Sequence, residues 1–425
     1  MGAVAGDVLA DLRWRGLLAQ STDEDALASA LARPLTFYVG FDPTAPSLHI
    51  GSLVQILVAR RLQRAGHTPL LLVGGATGLI GDPKPTAERQ LNDADVVAGW
   101  VQRVRAQIEP YVDLTGPRAA QMVDNMEWTS RLSAVDLLRD VGQHFRVGRM
   151  LAKDAVAARL ASAEGISYTE FSYQVLQGMD YLELWRRHGC SLQFGGSDQW
   201  GNITAGVDLV HRVEQQQVHA FTVPLVTKAD GTKFGKTESG TVWLDPGLTS
   251  PYAFHQFWLQ AEDALVDRYL RVFTDRSPEE LAELATATAE RPGARTAQRA
   301  LAHDVTALVH GQAAVTAAEE AAGALFGRGE LAALDEATLR AALAELPRAV
   351  VGEGARTVVE LLVASGLSPS RSAARRAVAD RGAYVNNVVV EDGDAEPAAD
   401  QLLHGRWVLL RRGKRTLAAV DARPA

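Results

Sequence analysis

The chain has 425 residues, of which 47 % are apolar and 22 % charged, with 17 Pro and a net charge of −8. That composition excludes a disordered or collagen-like chain and leaves room for two or three domains, each with its own core. The single Cys, Cys190, excludes a disulfide framework and a Cys-based zinc site and fits a reducing compartment.

The first segment reads helix then strand: Asp7 to Leu18 has a helical pattern and Thr36-Phe37-Tyr38-Val39 a strand run. Leu53 to Leu62 is apolar at helical spacing and stops at Gly66. Pro69-Leu-Leu-Leu-Val73 is short and wholly apolar, and Gly74-Gly75 follows it; Ser191-Leu-Gln-Phe194 repeats the pattern ahead of Gly195-Gly196. Continuous apolar strands alternating with helices indicate a parallel sheet covered on both faces. Between them, Asn92 to about Glu164 is mostly helical with a strand candidate at Gln121-Met-Val123, long for a crossover, and reads as an insertion.

From Ser250 to about Leu346 the chain is rich in Ala and Leu and helical, with Ser277-Pro278-Glu279-Glu280 supplying an N-cap, a first-turn Pro and first-turn acids. Val350 to Ala355 carries Gly352 and Gly354 and reads as a linker. Beyond it, Thr357 to Ala364 and Ser370 to Asp380 are short helices. Tyr384 to Val389 is a hairpin turning at Asn386-Asn387, and Trp407 to Arg411 with Thr416 to Val420 is a second hairpin around Gly413. From Ala355 on there are 11 Lys/Arg against 8 Asp/Glu, a basic tail on an acidic body, which hints at a local anionic partner. No apolar run approaches the roughly 20 residues of a membrane span. The N-terminus lacks a signal-peptide block, and Gly6 stands where a myristoylation signal has Ser or Thr. The expected compartment is the cytoplasm.

Two motifs carry chemistry. Asp42-Pro-Thr44-Ala-Pro-Ser-Leu-His49-Ile-Gly51-Ser52 joins the first strand to its helix. Ligands of open α/β sheets bind beyond the carboxyl ends of the strands, where a helix N-terminus offers free N–H groups to phosphate. His49 would add a donor in the first turn, and Gly51 would leave bare backbone for a flat group to lie on. Alone, this reads as a capped helix with an incidental His. The second motif, Lys233-Phe-Gly-Lys236-Thr237, follows Ala229-Asp-Gly-Thr232; glycines on both sides and two lysines three apart suit closure on a polyphosphate. Alone, it is a solvated basic loop.

Together the motifs resemble the two signatures of class I aminoacyl-tRNA synthetases. The stretches Tyr38-Val-Gly40-Phe-Asp42-Pro-Thr44, Gly74-Gly-Ala-Thr-Gly-Leu-Ile-Gly-Asp82, Tyr173-Gln-Val-Leu-Gln177-Gly-Met-Asp180 and Gly195-Gly-Ser-Asp198-Gln199-Trp-Gly-Asn202 are similar to those of the bacterial tyrosyl-tRNA synthetase family, from about Trp14 to Arg415. The resemblance implies an α/β, Rossmann-like catalytic domain over 1–247 with a helical insertion at about 92–164. An α-helical domain over 248–347, a linker at 348–356 and a small α+β RNA-binding domain over 357–425 would follow. The reaction implied is activation of L-tyrosine with ATP, as its magnesium complex, to tyrosyl-adenylate, then transfer to tRNA(Tyr), by a homodimer with much of its interface in the insertion. No protein metal site or tightly bound cofactor is expected.

Carried over residue by residue, Tyr38 and Asp180 would read the phenol hydroxyl, which both donates and accepts. Tyr173, Gln177 and Asp82 would hold the α-ammonium, and Gln199 would lie by the carboxyl. Tyr173, Gln177 and Asp180 fall on one helix face, and burying Gln and Asp there without partners would be costly, which favours a site over core packing. Asp198, Gly40, Asp42, Gly51 and Ser52 would contact ATP. Thr237 would also contact ATP, Thr44, His49, Lys233 and Lys236 would meet its β- and γ-phosphates, and Lys84 and Arg89 form a further phosphate loop. Asn125 resembles a supporting position. Ser52 stands where the wider class has His, and the 82–89 loop is one residue shorter than the common form. In the tail, Arg371, Arg375 and Arg376 on a helix and Arg411, Arg412 and Lys414 on a hairpin resemble a small RNA-binding module shared with a ribosomal protein. Two rival readings stay open: a nucleotidyltransferase that makes another adenylate, and a non-catalytic RNA-binding protein on a synthetase scaffold. A dinucleotide site at Gly74-Gly-Ala-Thr-Gly78 is disfavoured, because no Gly-x-Gly opens a helix there.

Overall fold

The computed structural model describes residues 7–84, 88–89, 91–227, 231–232, 234–237, 240–350 and 356–422. They form two compact units, one of residues up to 245 with 267–282, the other of 246–266 with 283 onward.

The first unit is built on a six-stranded sheet of β1 (Gln20–Ser21), β2 (Thr36–Phe41), β3 (Thr68–Val73), β4 (Gln121–Val123), β5 (Cys190–Gly196) and β6 (His219–Val223), in the order β1-β6-β5-β2-β3-β4. All neighbours are parallel except the short edge pair β1–β6. In β3, Pro69 through Val73 are all buried, as expected of a strand covered on both faces. One face carries Tyr38, Leu70, Leu72 and Val123, and packs on Leu176 and Met179 of the 21-residue helix Tyr168–His188. The helix after β2 spans Ile50–Arg64 and buries Leu53, Val54, Ile56, Leu57 and Leu62. Strand order reverses at β2, with β3 on one side and β5 on the other, so a crevice opens beyond the carboxyl ends of β2 and β5.

The segment expected as an insertion divides in two. Helix Ala94–Ile108 and β4 are an ordinary crossover, since β4 pairs parallel with β3 at Leu70–Gln121 through Leu72–Val123. Only the short helices between Met126 and Leu160 lie outside the sheet's regular winding.

The second unit holds the helices Pro251–Leu259, Thr296–His310, Gln312–Leu325 and Glu336–Ala344 and a five-stranded sheet. Its strands are β9 (Arg348–Val350), β10 (Ala383–Val385), β11 (Val388–Val389), β12 (Trp407–Arg412) and β13 (Thr416–Asp421), in the order β11-β10-β12-β13-β9; the intervening β7 (Lys236–Thr237) and β8 (Gly240–Thr241) form a separate small hairpin in the first unit. Arg348–Val350, expected at the start of a linker, is instead a strand parallel to β13; residues 351–355 lie outside the described ones. Asn386 and Asn387 take φ of 48° and 67°, the left-handed pair that a tight hairpin turn requires. Tyr252, Ala318, Ala321 and Leu339 from the helices share one buried cluster with Leu403, Trp407, Leu409 and Leu417. Among the described residues no helix is long and apolar enough to cross a membrane.

Candidate functional site

The crevice at the head of the sheet gathers side chains from several separate segments of the chain. Tyr38 lies in β2, 1 % exposed, and its hydroxyl has no hydrogen-bond partner among the described residues. Its ring meets Tyr181 edge-on at 5.2 Å. Burial pushes the phenol well above its ordinary pKa, and the nearby Asp180 charge adds to that. Asp180 is itself 1 % exposed. Trp128 Nε1 donates to its Oδ1 at 2.9 Å and Asn125 Nδ2 to its Oδ2 at 3.0 Å. Burial pushes its carboxyl up to about 8 against the downward pull of those two donors. A carboxyl so poised beside an unpartnered hydroxyl can accept from or donate to a third hydroxyl. Asn125 also accepts from Ala76 N at 2.8 Å and donates to Thr77 Oγ1 at 3.0 Å, so it links the turn after β3 to Asp180. Asn125, which the sequence places at a position resembling a supporting one, is fully buried among these contacts.

Asp42 follows β2. Tyr173 Oη donates to its Oδ2 at 2.6 Å and Thr77 Oγ1 to its Oδ1 at 2.7 Å. Burial raises its pKa, and those two donors lower it. Gln177, one turn beyond Tyr173, keeps a buried Oε1 without a partner among the described residues. Asp82 accepts from Lys153 Nζ at 3.1 Å, Gln199 Nε2 at 2.9 Å and Asn202 Nδ2 at 3.1 Å. Gln199 Oε1 in turn accepts from Asn202 at 2.9 Å. Asp82 and Gln199, expected at opposite ends of an amino acid backbone, therefore touch each other. Asp198 lies in the short turn after β5, where a Cβ on Gly196 would come within 2.7 Å of its Oδ1.

The two signature motifs meet. His49 is the N-cap of helix Ile50–Arg64, not a first-turn donor, and its Nδ1 accepts from Ser52 N at 3.3 Å. That acceptor role assigns the ring proton of the neutral form to Nε2. A Cβ on Gly51 would sit 2.8 Å from the His49 ring, so Gly51 makes room for the imidazole. Val242 bridges the motifs: its N–H donates to Gly235 O at 2.8 Å and its carbonyl accepts from Ile50 N at 3.4 Å. Gly235 has φ +88°, and a Cβ there would meet Ile50 at 3.4 Å. Phe234 packs on Tyr269 with ring centroids 4.2 Å apart. Lys233 lies outside the described residues, as do the side chains of Lys236 and Thr237. Gly40 and Thr44 are exposed at the crevice. Arg89 donates from Nε to Asp82 O at 2.9 Å, and Lys84 offers its carbonyl to Arg159 Nη1 at 3.3 Å.

Sequence reading missed Trp128, Asn202 and Lys153. Asn202 closes the quoted Gly195–Asn202 stretch and could have been included. Trp128 sits in the one-turn helix Met126–Thr129 and Lys153 caps the helix Asp154–Leu160, both after β4, where no local pattern marks them as site residues. In the tail, Arg371 pairs with Glu360 at 3.0 Å and Arg375 with Asp394 at 3.0 Å. Arg411 lies 3.7 Å from the Tyr384 ring centroid and Arg412 donates to Leu367 O at 2.7 Å. Arg376 and Lys414 are exposed.

Comparison with known proteins gives a consistent result. Residues 30–327 match the family described as tRNA synthetases class I (W and Y), and residues 338–420 match the tyrosine–tRNA ligase SYY-like C-terminal domain. The chain is 64 % identical over 420 residues to the tyrosine–tRNA ligase of Streptomyces griseus, covering 98 % of this chain and 99 % of that one. It is 58 % identical over 422 residues to that of Mycobacterium tuberculosis, covering 98 % and 99 %. Among solved structures it is similar to a C-terminally truncated mitochondrial tyrosyl-tRNA synthetase of Coccidioides posadasii, with TM-score 0.64 and 30 % identity over 73 % of this chain and 90 % of that one.

Proposed function

This chain belongs to the tyrosine–tRNA ligases of the class I tRNA synthetases, and from that premise we propose how its residues divide the work of the reaction. The enzyme uses ATP to activate tyrosine and attaches it to tRNA(Tyr). Tyrosine enters phenol first, toward Tyr38 and Asp180. The observation that carries this reading is the Tyr38 hydroxyl, buried without a partner beside an Asp180 carboxyl fixed by Asn125 and Trp128. A buried polar group left unmet is expensive, so the pocket is completed by a hydroxyl and penalises a ring that lacks one. Asp82, Tyr173 and Gln177 receive the α-ammonium, with Gln199 toward the carboxylate.

That carboxylate attacks the α-phosphorus of magnesium-bound ATP and expels pyrophosphate; no protein nucleophile is needed. Gly40, Asp42, Gly51, Ser52, Asp198 and Thr237 seat the nucleotide. Thr44 and His49 from one side, Lys233 and Lys236 from the other, and Lys84 with Arg89 stabilise the charge that grows on the departing phosphates. In the second step the terminal ribose hydroxyl of the tRNA attacks the activated carbonyl. The tail grips the tRNA through Arg376 and Lys414, with Arg371, Arg375, Arg411 and Arg412 contributing where their internal partners release them. Two copies pair through the segment 134–160, whose Val135, Leu138, Val147 and Leu160 are exposed although apolar. We place the enzyme in the cytoplasm, with the translation machinery it serves.

Tyrosine-dependent exchange of pyrophosphate into ATP, run with tyrosine and with phenylalanine, tests the reading. We expect exchange with tyrosine, strong discrimination against phenylalanine, and a narrowed preference in Tyr38→Phe. Equal use of both amino acids, or a preference untouched by Tyr38→Phe, refutes the assignment. A different adenylate former and a non-catalytic RNA binder both give no tyrosine-dependent exchange.

A further inference from the structure

Arg159 and Glu170 form an ion pair that the reaction as described does not use. Both side chains are 2 % exposed. Arg159 reaches Glu170 with both terminal nitrogens, Nη1 to Oε1 at 3.3 Å and Nη2 to Oε2 at 3.1 Å. Desolvating two charges offsets most of their attraction, so such a pair explains little net stability. What it holds is more informative. The Arg89 N–H donates to Glu170 Oε1 at 3.1 Å, and Arg159 Nη1 donates to the Lys84 carbonyl at 3.3 Å. One buried pair thus grips both ends of the 84–89 loop by its backbone. Arg89 reaches onward from there, donating to the Asp82 carbonyl at 2.9 Å, and its charge is felt at Asp42. Glu170 lies three residues before Tyr173 and seven before Gln177, on the same helix face. The helix that offers Tyr173 and Gln177 to the amino acid therefore also tethers the loop assigned to the phosphates.

We propose that Glu170, through Arg159 and the loop backbone, is a positioning residue for adenylate formation. It fixes Arg89 relative to Tyr173 and Gln177, so that the phosphate contact and the attacking carboxylate are held at one separation. This inference rests on the reading of the 82–89 loop as phosphate-binding. A displacement near 1 Å is enough to slow a positioned reaction on the order of 10²-fold, so partial loosening should cost on the order of 10-fold.

The test replaces the pair by apolar side chains of similar length, Arg159→Met with Glu170→Met, which keeps the packing and leaves no lone buried charge. Melting, tyrosine binding at equilibrium and tyrosine-dependent pyrophosphate exchange are measured, each also in the Arg89→Ala background. The expected result is a parent-like melt, parent-like tyrosine binding, and exchange slowed on the order of 10-fold, with that loss much smaller once Arg89→Ala is present. Exchange at the parent rate, a loss of equal size with and without Arg89→Ala, or tyrosine binding weakened in step with exchange would overturn the tether. Inert Arg89→Ala would instead overturn the phosphate-loop reading. Should the double variant not fold, Glu170→Gln, which leaves Oε1 to accept from Arg89, carries the same comparison at smaller amplitude.

Discussion

The Tyr173 hydroxyl donates to Asp42 Oδ2 across 2.6 Å, tying the second turn of the Tyr168–His188 helix to the residue that follows β2. Asp42 is assigned to ATP and Tyr173 to tyrosine, so one hydrogen bond joins the two substrate subsites. Tyr173→Phe removes a donor to a carboxylate, worth about 1.5–3 kcal/mol. We expect unfolding in urea at neutral pH to move to lower denaturant by a corresponding amount, and both substrate KM values to rise. A rise confined to tyrosine would show that the bond does not couple the subsites.

Asp180 is held by two side chains that never touch the phenol in this scheme. Trp128→Phe keeps the ring and removes one donor to Oδ1; Asn125→Ala removes the donor to Oδ2 and the link to Ala76 and Thr77. Each should lower the ratio of kcat/KM for tyrosine over phenylalanine, Asn125→Ala the more, because it frees both the carboxylate and the turn after β3. An unchanged ratio in both variants would mean Asp180 is positioned by other groups.

The parts of this molecule written in local pattern were legible in its sequence. The apolar run Pro69–Val73, the Ser277–Glu280 cap, where Ser277 Oγ accepts from Glu280 N at 3.2 Å, and the Asn386-Asn387 turn each follow from a few consecutive residues. The face presenting Tyr173, Gln177 and Asp180 followed from helical spacing. What the pattern did not carry was long-range. β4 is three residues, Gln121–Val123, and only its pairing with β3 shows that it belongs to the main sheet. Arg348–Val350 has no strand signal of its own and is ordered by β13, some 70 residues later. Lys153 and Trp128 reach the site from short helices that the sheet does not order, and His49 is both a helix cap and a bridge partner of Trp243, a contact almost 200 residues away in sequence.

The acidity of Asp180 gives a signed stability prediction. Its folded pKa of about 8 lies above the ordinary carboxyl value near 3.9, so between those limits the folded state holds a proton that the unfolded chain has lost. Stability contributed at this position is therefore present at low pH and is lost as pH rises from about 4 to about 8. Asp180→Asn removes the titration. The melting temperature of Asp180→Asn relative to parent, without substrates, should climb across that interval and level off above it. A difference that is flat with pH would place the carboxyl in ordinary surroundings.

The loop lysines act late. Lys233→Ala or Lys236→Ala should leave tyrosine binding unchanged and slow pyrophosphate exchange on the order of 10²-fold, the usual loss for one charge-assisted contact made in the transition state. Exchange at the parent rate in both variants would remove the loop from the phosphate site.

Deleting the tail is a poorer probe of tRNA binding than its basic residues suggest. Leu403, Trp407, Leu409 and Leu417 are buried in one cluster with Tyr252, Ala318, Ala321 and Leu339, and β9 has β13 as its partner. Asn387 Nδ2 also donates to Ala324 O at 2.8 Å. A chain ending near residue 355 would uncover that cluster, at about 1.5–3 kcal/mol for each large side chain exposed. We expect it to lose the melting transition of the second unit and to aggregate. The residues assigned to tyrosine and ATP all belong to the first unit, so whatever stays in solution should still exchange pyrophosphate. The informative variants are instead Arg376→Ala and Lys414→Ala, two exposed cations outside the cluster. Each should leave melting and pyrophosphate exchange as in the parent while weakening tRNA binding, and should reduce the slope of log affinity against log salt by about one. Parent-like salt dependence in both would show that the tail meets the tRNA through a different face.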